Sequence, residues 1–365
     1  MVHVIKTIDA HAAGEPLRLI VDGLPRPVGR TMLEKREWMQ QHADHLRRAV
    51  MLEPRGHADM YGAMLTEPVS TGSQAGVLFM HNEGYSTMCG HGVIAVTTIA
   101  IERGLFAARE RTDGELQPEM PTGRSEHEPG SPTGVSQPVG VEELAFDSPA
   151  GTIHARARVL RQGDRRHVDA VTFTNVPSFV YAAGRTVKLG TRELRVDIAF
   201  GGAFYAIADS EAIGIPLEPR RVPELRRIAT DIKNALQGSS STIQHPLEPA
   251  LRGLYGVIFT GPPHDFEAHL RNLTVFADAE VDRSPCGTGT AAVMAVLDAM
   301  GLLPEGSPFV HESVIGTLFR GRVLHRTQVG ELPAIVAEIQ GSAWITGEHT
   351  FVIDDEDPLR EGFKL

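Results

Sequence analysis

The chain has 365 residues, 42% of them hydrophobic and 22% charged, with 35 Lys and Arg against 46 Asp and Glu. That is the composition of a globular protein long enough for two domains. The net charge of −11 argues against nucleic acid and anionic membrane as partners, since both need a basic face.

In chain order, His3-Val4-Ile5-Lys6-Thr7-Ile8 and Leu17-Arg18-Leu19-Ile20-Val21 read as strands joined by the loop His11-Ala12-Ala13-Gly14-Glu15-Pro16. No apolar leader core stands at the start and no run reaches membrane-spanning length, so a cytoplasmic chain is expected. Thr31 with Glu34 forms a capping box that predicts one charged helix from Met32 to about Val50. Gly76-Val77-Leu78-Phe79-Met80 is a continuous apolar run, as a strand covered on both faces would be. It leads to Met88-Cys89-Gly90-His91-Gly92 and a helix. Residues 110–143, rich in Pro, Gly, Ser and Glu, read as a flexible insertion.

Further strands are expected over 151–159, 168–180 and 195–200. Leu225, Ile228, Ile232 and Leu236 fall at helical spacing, predicting an amphipathic helix over 223–237. Strands over 253–259 and 273–276 precede Pro285-Cys286-Gly287-Thr288-Gly289 and a second apolar helix, and the tail from Ala334 returns to strand. Strands therefore dominate an α+β chain.

Cys89 and Cys286 are the only cysteines, and each opens the same unit: Cys-Gly-x-Gly, an apolar helix, then Gly104-Leu105 or Gly301-Leu302. A single Cys most often reads as a small core residue, but a repeated unit at equal spacing points to paired function. A helix N-terminus offers unpaired N–H groups and a partial positive charge, which favour a thiolate and bind a carboxylate. Glycine lets the backbone close round a small anion. Two such units facing each other would place thiols on opposite sides of one amino acid. One could remove the α-proton and the other return it, in a dry site. Neither Cys has a partner at metal-ligand spacing, the second motif lacks the Gly-Lys-Ser/Thr end of a phosphate loop, and the sixteen histidines are scattered. His57 reads as a loop-ordering residue, and His11 with Glu15 as a structural pair rather than a metal pair.

The two cysteine motifs, together with Asp282-Arg283-Ser284, Glu53-Pro54-Arg55-Gly56-His57 and Asp354-Asp355-x-Asp357-Pro358-Leu359-Arg360, resemble the proline racemase family over nearly the whole chain. The resemblance implies two pseudo-symmetric halves of the diaminopimelate epimerase type, each a β-structure round a central helix, with the active site in the cleft between them. Residues 1–179 plus 346–365 would form the half carrying Cys89, and 180–345 the half carrying Cys286. It implies no cofactor and no metal. Cys89 and Cys286 would be the two bases, and Gly90, His91, Gly287 and Thr288 would hold the carboxylate through backbone N–H groups. Asp282 would take the ring ammonium, while Tyr61 and Phe276 would pack on the ring. The only partner implied is a small imino acid, proline or a hydroxyproline; a homodimer is left open.

Within the family, dehydratases typically carry Thr at the position of Cys286, and some epimerases carry Ser at that of Cys89. Cysteine at both favours a two-base racemase, and the aromatic pair favours unsubstituted proline. His81-Asn82-Glu83-Gly84-Tyr85-Ser86 and Gly201-Gly202-Ala203-Phe204-Tyr205-Ala206 resemble the dehydratase branch instead. The alternatives are therefore a 4-hydroxyproline 2-epimerase, a trans-3-hydroxy-L-proline dehydratase, or an imino-acid binding protein with idle thiols.

Overall fold

Two helices organise the molecule: α3 (Gly90–Glu102) and α6 (Gly287–Ala299), the third and sixth in the chain. The others are α1 (Met32–His42), α2 (Asp44–Met51), the single turn α4 (Ser210–Ile213) and α5 (Val222–Gln237). The computed structural model describes residues 2–106, 109–111, 137–162, 165–237 and 243–365.

Every residue of α3 from Gly90 to Ile101, and every residue of α6 from Gly287 to Val296, is buried. A helix apolar all round belongs in a core, and each fully buried Val or Ile contributes about 1.5–3 kcal/mol. Both helices stop at the Gly-Leu pair. Gly104 (φ +63°) and Gly301 (φ +72°) take the left-handed conformation. The N–H groups of Leu105 and Leu302 donate to the carbonyls of Ala100 and Leu297, at 2.8 and 2.9 Å, which is a Schellman stop.

Strands wrap each helix in the same order. Round α3, Val2–Ala12 pairs antiparallel with Glu15–Asp22, which runs parallel to Tyr61–Thr66; that strand pairs antiparallel with Ala75–His81. Round α6, Arg192–Phe200 pairs antiparallel with Phe204–Asp209, which runs parallel to Leu254–Gly261; that strand pairs antiparallel with Leu270–Phe276. After each central helix the chain re-enters parallel to the last of these strands, as Gln137–Ser148 or Pro308–Ser313, and runs up and down twice more. The second set closes into a ring where Leu332–Gly341 pairs with Ser178–Leu189. The same strand also pairs with Arg165–Thr174 of the first set and so joins the two halves. Ala343–Asp354 then returns to pair with Val2–Ala12.

Two sequence expectations change. The helix expected over 32–50 is broken at Ala43 (φ −137°) into α1 and α2. The restart lets Asp44 hold Arg47, whose Nη1 donates to the carbonyls of His81 and Asn82, both at 2.6 Å. The expected insertion over 110–143 is strand at both flanks: Arg109–Arg111 pairs antiparallel with Gln137–Ser148. The alternate residues Leu144 and Phe146 are buried in the first core and override the flanking Pro and Gly. The middle of that segment, 112–136, lies outside the described residues.

Candidate active site

The N-termini of α3 and α6 meet. A Cβ added to Gly90 would lie 2.5 Å from Cα of Gly287, and one added to Gly287 would lie 2.5 Å from Cα of Gly90. Only glycine lets the two backbones approach this closely. Cys89 and Cys286 are the N-caps: the N–H groups of Gly92 and Gly289 donate to their sulfurs, both at 3.3 Å. The first N–H groups of each helix, on Gly90 and His91 and on Gly287 and Thr288, have no carbonyl to bond within the helix.

The two caps are not equivalent. Cys89 is extended (φ −146°), whereas Cys286 sits at φ +61°, a conformation that costs a non-glycine residue about 1–3 kcal/mol. Neighbours hold it there. The Cys286 N–H donates to Oγ of Ser284 at 3.1 Å, and Ser284 donates through N and Oγ to Asp282, at 2.8 and 2.7 Å. Asn272 Nδ2 donates to the carbonyl of Pro285 at 3.0 Å. The second residue after each Cys also differs. A ring nitrogen of His91 lies 3.2 Å from the Cys89 sulfur. Thr288 Oγ1 and Tyr205 OH lie 2.7 Å apart and each 3.8 Å from the Cys286 sulfur.

One cavity is lined by Cys89, Cys286, Gly90, His91, Gly287, Thr288, Asp282, Tyr61 and Phe276, all nine residues singled out in the sequence. Its volume is about 10 Å³, room for about one water, so the cleft is closed. Tyr61 meets Phe276 edge-on at 5.8 Å, and Tyr255 stacks on Phe276 at 5.6 Å. Tyr61 OH lies 2.6 Å from Ser86 Oγ and 3.4 Å from Tyr255 OH.

Burial dominates the electrostatics. It pushes the Asp282 carboxyl up to about 6, against the hydrogen bonds from Ser284. Burial, with Asp282 adding to it, pushes the Cys286 thiol up; the Cys89 thiol rises well above its usual value from burial first, opposed by the Gly92 N–H. His91 is pulled down to about 3 by burial and then by Arg283, which keeps the imidazole neutral. Glu15 is held well above the carboxylate range by burial and then by Asp282. Its Oε2 accepts from the Arg283 N–H at 2.7 Å, and Arg283 Nη1 donates to the Asp59 carbonyl at 2.9 Å. The site can thus hold an anion on four backbone N–H groups and a cation on Asp282, with two thiols between.

His57 is exposed and turns to the carbonyl of Ala58, while His11 stacks on Trp344. Sequence reasoning did not single out Tyr205, Tyr255 or Ser284 for the site. Tyr205 and Tyr255 come from strands buried on both faces, where alternation gives no signal. Ser284, two residues from both Asp282 and Cys286, was legible as a turn-former. Among the described residues no three His, Cys, Asp or Glu side chains gather as a metal site, and no helix is long and apolar enough to cross a membrane.

Two pseudo-symmetric β-wrapped halves meeting at a pair of cysteine-capped helices define the class of the proline racemase and hydroxyproline epimerase fold. The structure of a hydroxyproline epimerase from Agrobacterium vitis, with bound trans-4-OH-L-proline, superposes with a TM-score of 0.82 at 28% identity, covering 100% of this chain and 96% of that one. The chain belongs to the proline racemase family, whose model matches residues 7–142 and 132–364. It is 44% identical over 362 residues to the trans-3-hydroxy-L-proline dehydratase of Bacillus cereus, covering 99% of this chain and 98% of that protein. It is 41% identical over 362 residues to the 3-hydroxyproline 2-epimerase of Burkholderia multivorans, covering 98% and 97%. Its relatives are enzymes, and this chain is one of that family of racemases, epimerases and dehydratases.

Proposed function

We propose that this enzyme inverts the α-carbon of a proline-type imino acid, with proline as substrate, by passing a proton between Cys89 and Cys286. One observation carries the reading: two sulfurs cap opposed helix N-termini on a single closed cavity. The substrate carboxylate lies on the N–H groups of Gly90, His91, Gly287 and Thr288, where both helix dipoles favour the charge that develops as the α-proton leaves. The ring ammonium pairs with Asp282. The α-carbon then sits between the sulfurs; one, as thiolate, removes the proton, and the other, as thiol, delivers one to the opposite face. Burial makes a thiolate here a strong base, and the arriving ammonium supplies the counter-charge that lets it form. Tyr61 and Phe276 pack on the ring. The two thiols are free, as a reducing cytoplasm would keep them.

A second reading, dehydration of trans-3-hydroxyproline, is favoured by the named activity of relatives such as the Bacillus cereus dehydratase and by the Tyr61, Ser86 and Tyr255 hydroxyls near the ring wall. In that substrate the C3 hydroxyl and the α-hydrogen lie on the same ring face. The thiolate that takes the proton can return it to the departing hydroxide, so one cysteine suffices. The presence of both favours inversion.

The test is proton NMR in D2O with L-proline, trans-4-hydroxy-L-proline and trans-3-hydroxy-L-proline in separate tubes. Loss of the proline α-proton with accumulation of D-proline is expected, and Cys286→Ser should abolish the inversion. Conversion of 3-hydroxyproline to an unsaturated ring, with proline untouched, overturns the reading in favour of dehydration. No change in any tube leaves an imino-acid binder.

A further inference from the structure

A second cavity, of about 140 Å³, lies beside the first and is lined by Glu53, Asp59, Asn82, Arg226, Glu280 and Lys364 among others. Its distinguishing group is Glu280. The residue is 3% exposed, yet neither carboxylate oxygen has a hydrogen-bond partner among the described residues. His81 Nδ1 lies 3.3 Å from Oε2 without hydrogen-bond geometry. Lys233, close enough to feel the charge, gives its ammonium to the carbonyls of Tyr255 and Ala277. The cations bordering the cavity are also engaged, Arg226 with Asp59 and Lys364 with Glu83 and Asp278. A buried carboxylate with both oxygens free is costly unless a donor arrives.

The position of Glu280 says which donor. Glu280 and Asp282 lie two apart on the strand Glu280–Asp282, so they share a face. Asp282 lines the catalytic cavity and Glu280 the second one. The partition between them includes His81, whose ring centroid is 5.8 Å from Tyr61, 6.1 Å from Tyr255 and 6.0 Å from Phe276. At about 10 Å³ the catalytic cavity is too small for an imino acid as it stands. The second cavity sits where the halves are latched, with Asp59 of the first half held by Arg226 and Arg283 of the second.

We propose that the second cavity is an antechamber that takes a zwitterionic cyclic amino acid, with Glu280 receiving its ring ammonium and Arg226 and Lys364 facing its carboxylate, before the molecule passes to Asp282 as the cleft opens. The inference rests on the proposed imino-acid substrate. Glu280 supplies two charge-assisted acceptors, and Arg226, though paired with Asp59, keeps an Nε–H with no hydrogen-bond partner among the described residues, a donor that suits a zwitterion's carboxylate better than a bare cation.

The experiment uses pyrrole-2-carboxylate, a planar anion without an ammonium, to fill the catalytic cavity of the full-length protein. L-Proline is then added and its binding read by saturation-transfer NMR. The expected result is saturable proline binding to the analogue-saturated protein, weakened at least about tenfold by Glu280→Gln, the loss of one charge-assisted hydrogen bond. Lys364→Ala, at a half-exposed side chain, should weaken it without disturbing the core. Absence of proline binding once the analogue is bound overturns the antechamber alone. So does equal binding by both variants and the parent, or displacement of proline by potassium chloride at equimolar concentration. A protein that binds neither molecule overturns this inference together with the substrate reading.

Discussion

Replacing Asp282 by Asn should make the protein more stable and less active, and the stability gain should depend on pH. In the closed cavity burial raises the Asp282 carboxyl from 3.8 to about 6. A carboxyl raised by folding contributes stability that is fully present below its unfolded pKa and lost as pH rises through the folded one. Between those limits the shift of about two units, at 1.36 kcal/mol each, amounts to about 3 kcal/mol. Asn stays neutral, and its Oδ1 can still accept from Ser284. The variant and the parent should therefore be about equally stable near pH 4. Above pH 7 they should separate by up to about 3 kcal/mol, a rise in melting temperature of about 4 °C for a chain of this length. The same change removes the proposed partner of the substrate ammonium, so kcat/KM should fall by about 10- to 100-fold. Calorimetry of both proteins at pH 4, 6 and 8, with turnover at pH 8, tests the argument. A variant no more stable than the parent at pH 8, or one whose advantage is as large at pH 4, refutes it.

Gly287→Ala would set a methyl 2.5 Å from Cα of Gly90, where only backbone can give; a loss of about 1–3 kcal/mol on melting and near-complete loss of inversion are expected, and turnover at the parent rate would refute the close-approach argument. Tyr205→Phe removes the hydroxyl 2.7 Å from Thr288; kcat should drop about tenfold, and iodoacetate should modify Cys286 more slowly with Cys89 unchanged by peptide mass analysis. Equal slowing at both cysteines would show a general structural role. Asp59→Asn weakens the latch to Arg226 and Arg283, so both buried thiols should be alkylated faster in the absence of ligand; unchanged rates would mean that the cleft is not held by these pairs.

Much of the site was legible because its defining features are local. A cysteine cap followed by glycines, an apolar helix and a Gly-Leu stop are adjacent in sequence, and each is set by backbone chemistry within a few residues. What was not legible depends on distant partners. Arg47 needs the carbonyls of His81 and Asn82, and that demand, absent from the local pattern, breaks the helix at Ala43. Residues 137–143 look loop-like until the strand they begin carries Leu144 and Phe146 into a core. Tyr205 reaches Cys286 across 81 residues, and no spacing rule spans such a distance.

The departures from symmetry carry as much meaning as the symmetry. His81 ends Ala75–His81 in the first half as Phe276 ends its counterpart Leu270–Phe276 in the second, yet one faces Glu280 and the other lines the catalytic cavity. His91 and Thr288 occupy the same place after their cysteines and give the two sulfurs different neighbours. Proton transfer to and from opposite faces needs two equivalent helix ends, and the repeat provides them. A pyrrolidine ring has no such symmetry: its nitrogen lies on one side of the α-carbon and its methylenes on the other. Two identical walls could not hold it in one orientation. On the proposed reading, the paired cysteines would carry the inversion, and the unpaired residues Asp282, Tyr61 and Phe276 would fix which way the ring lies.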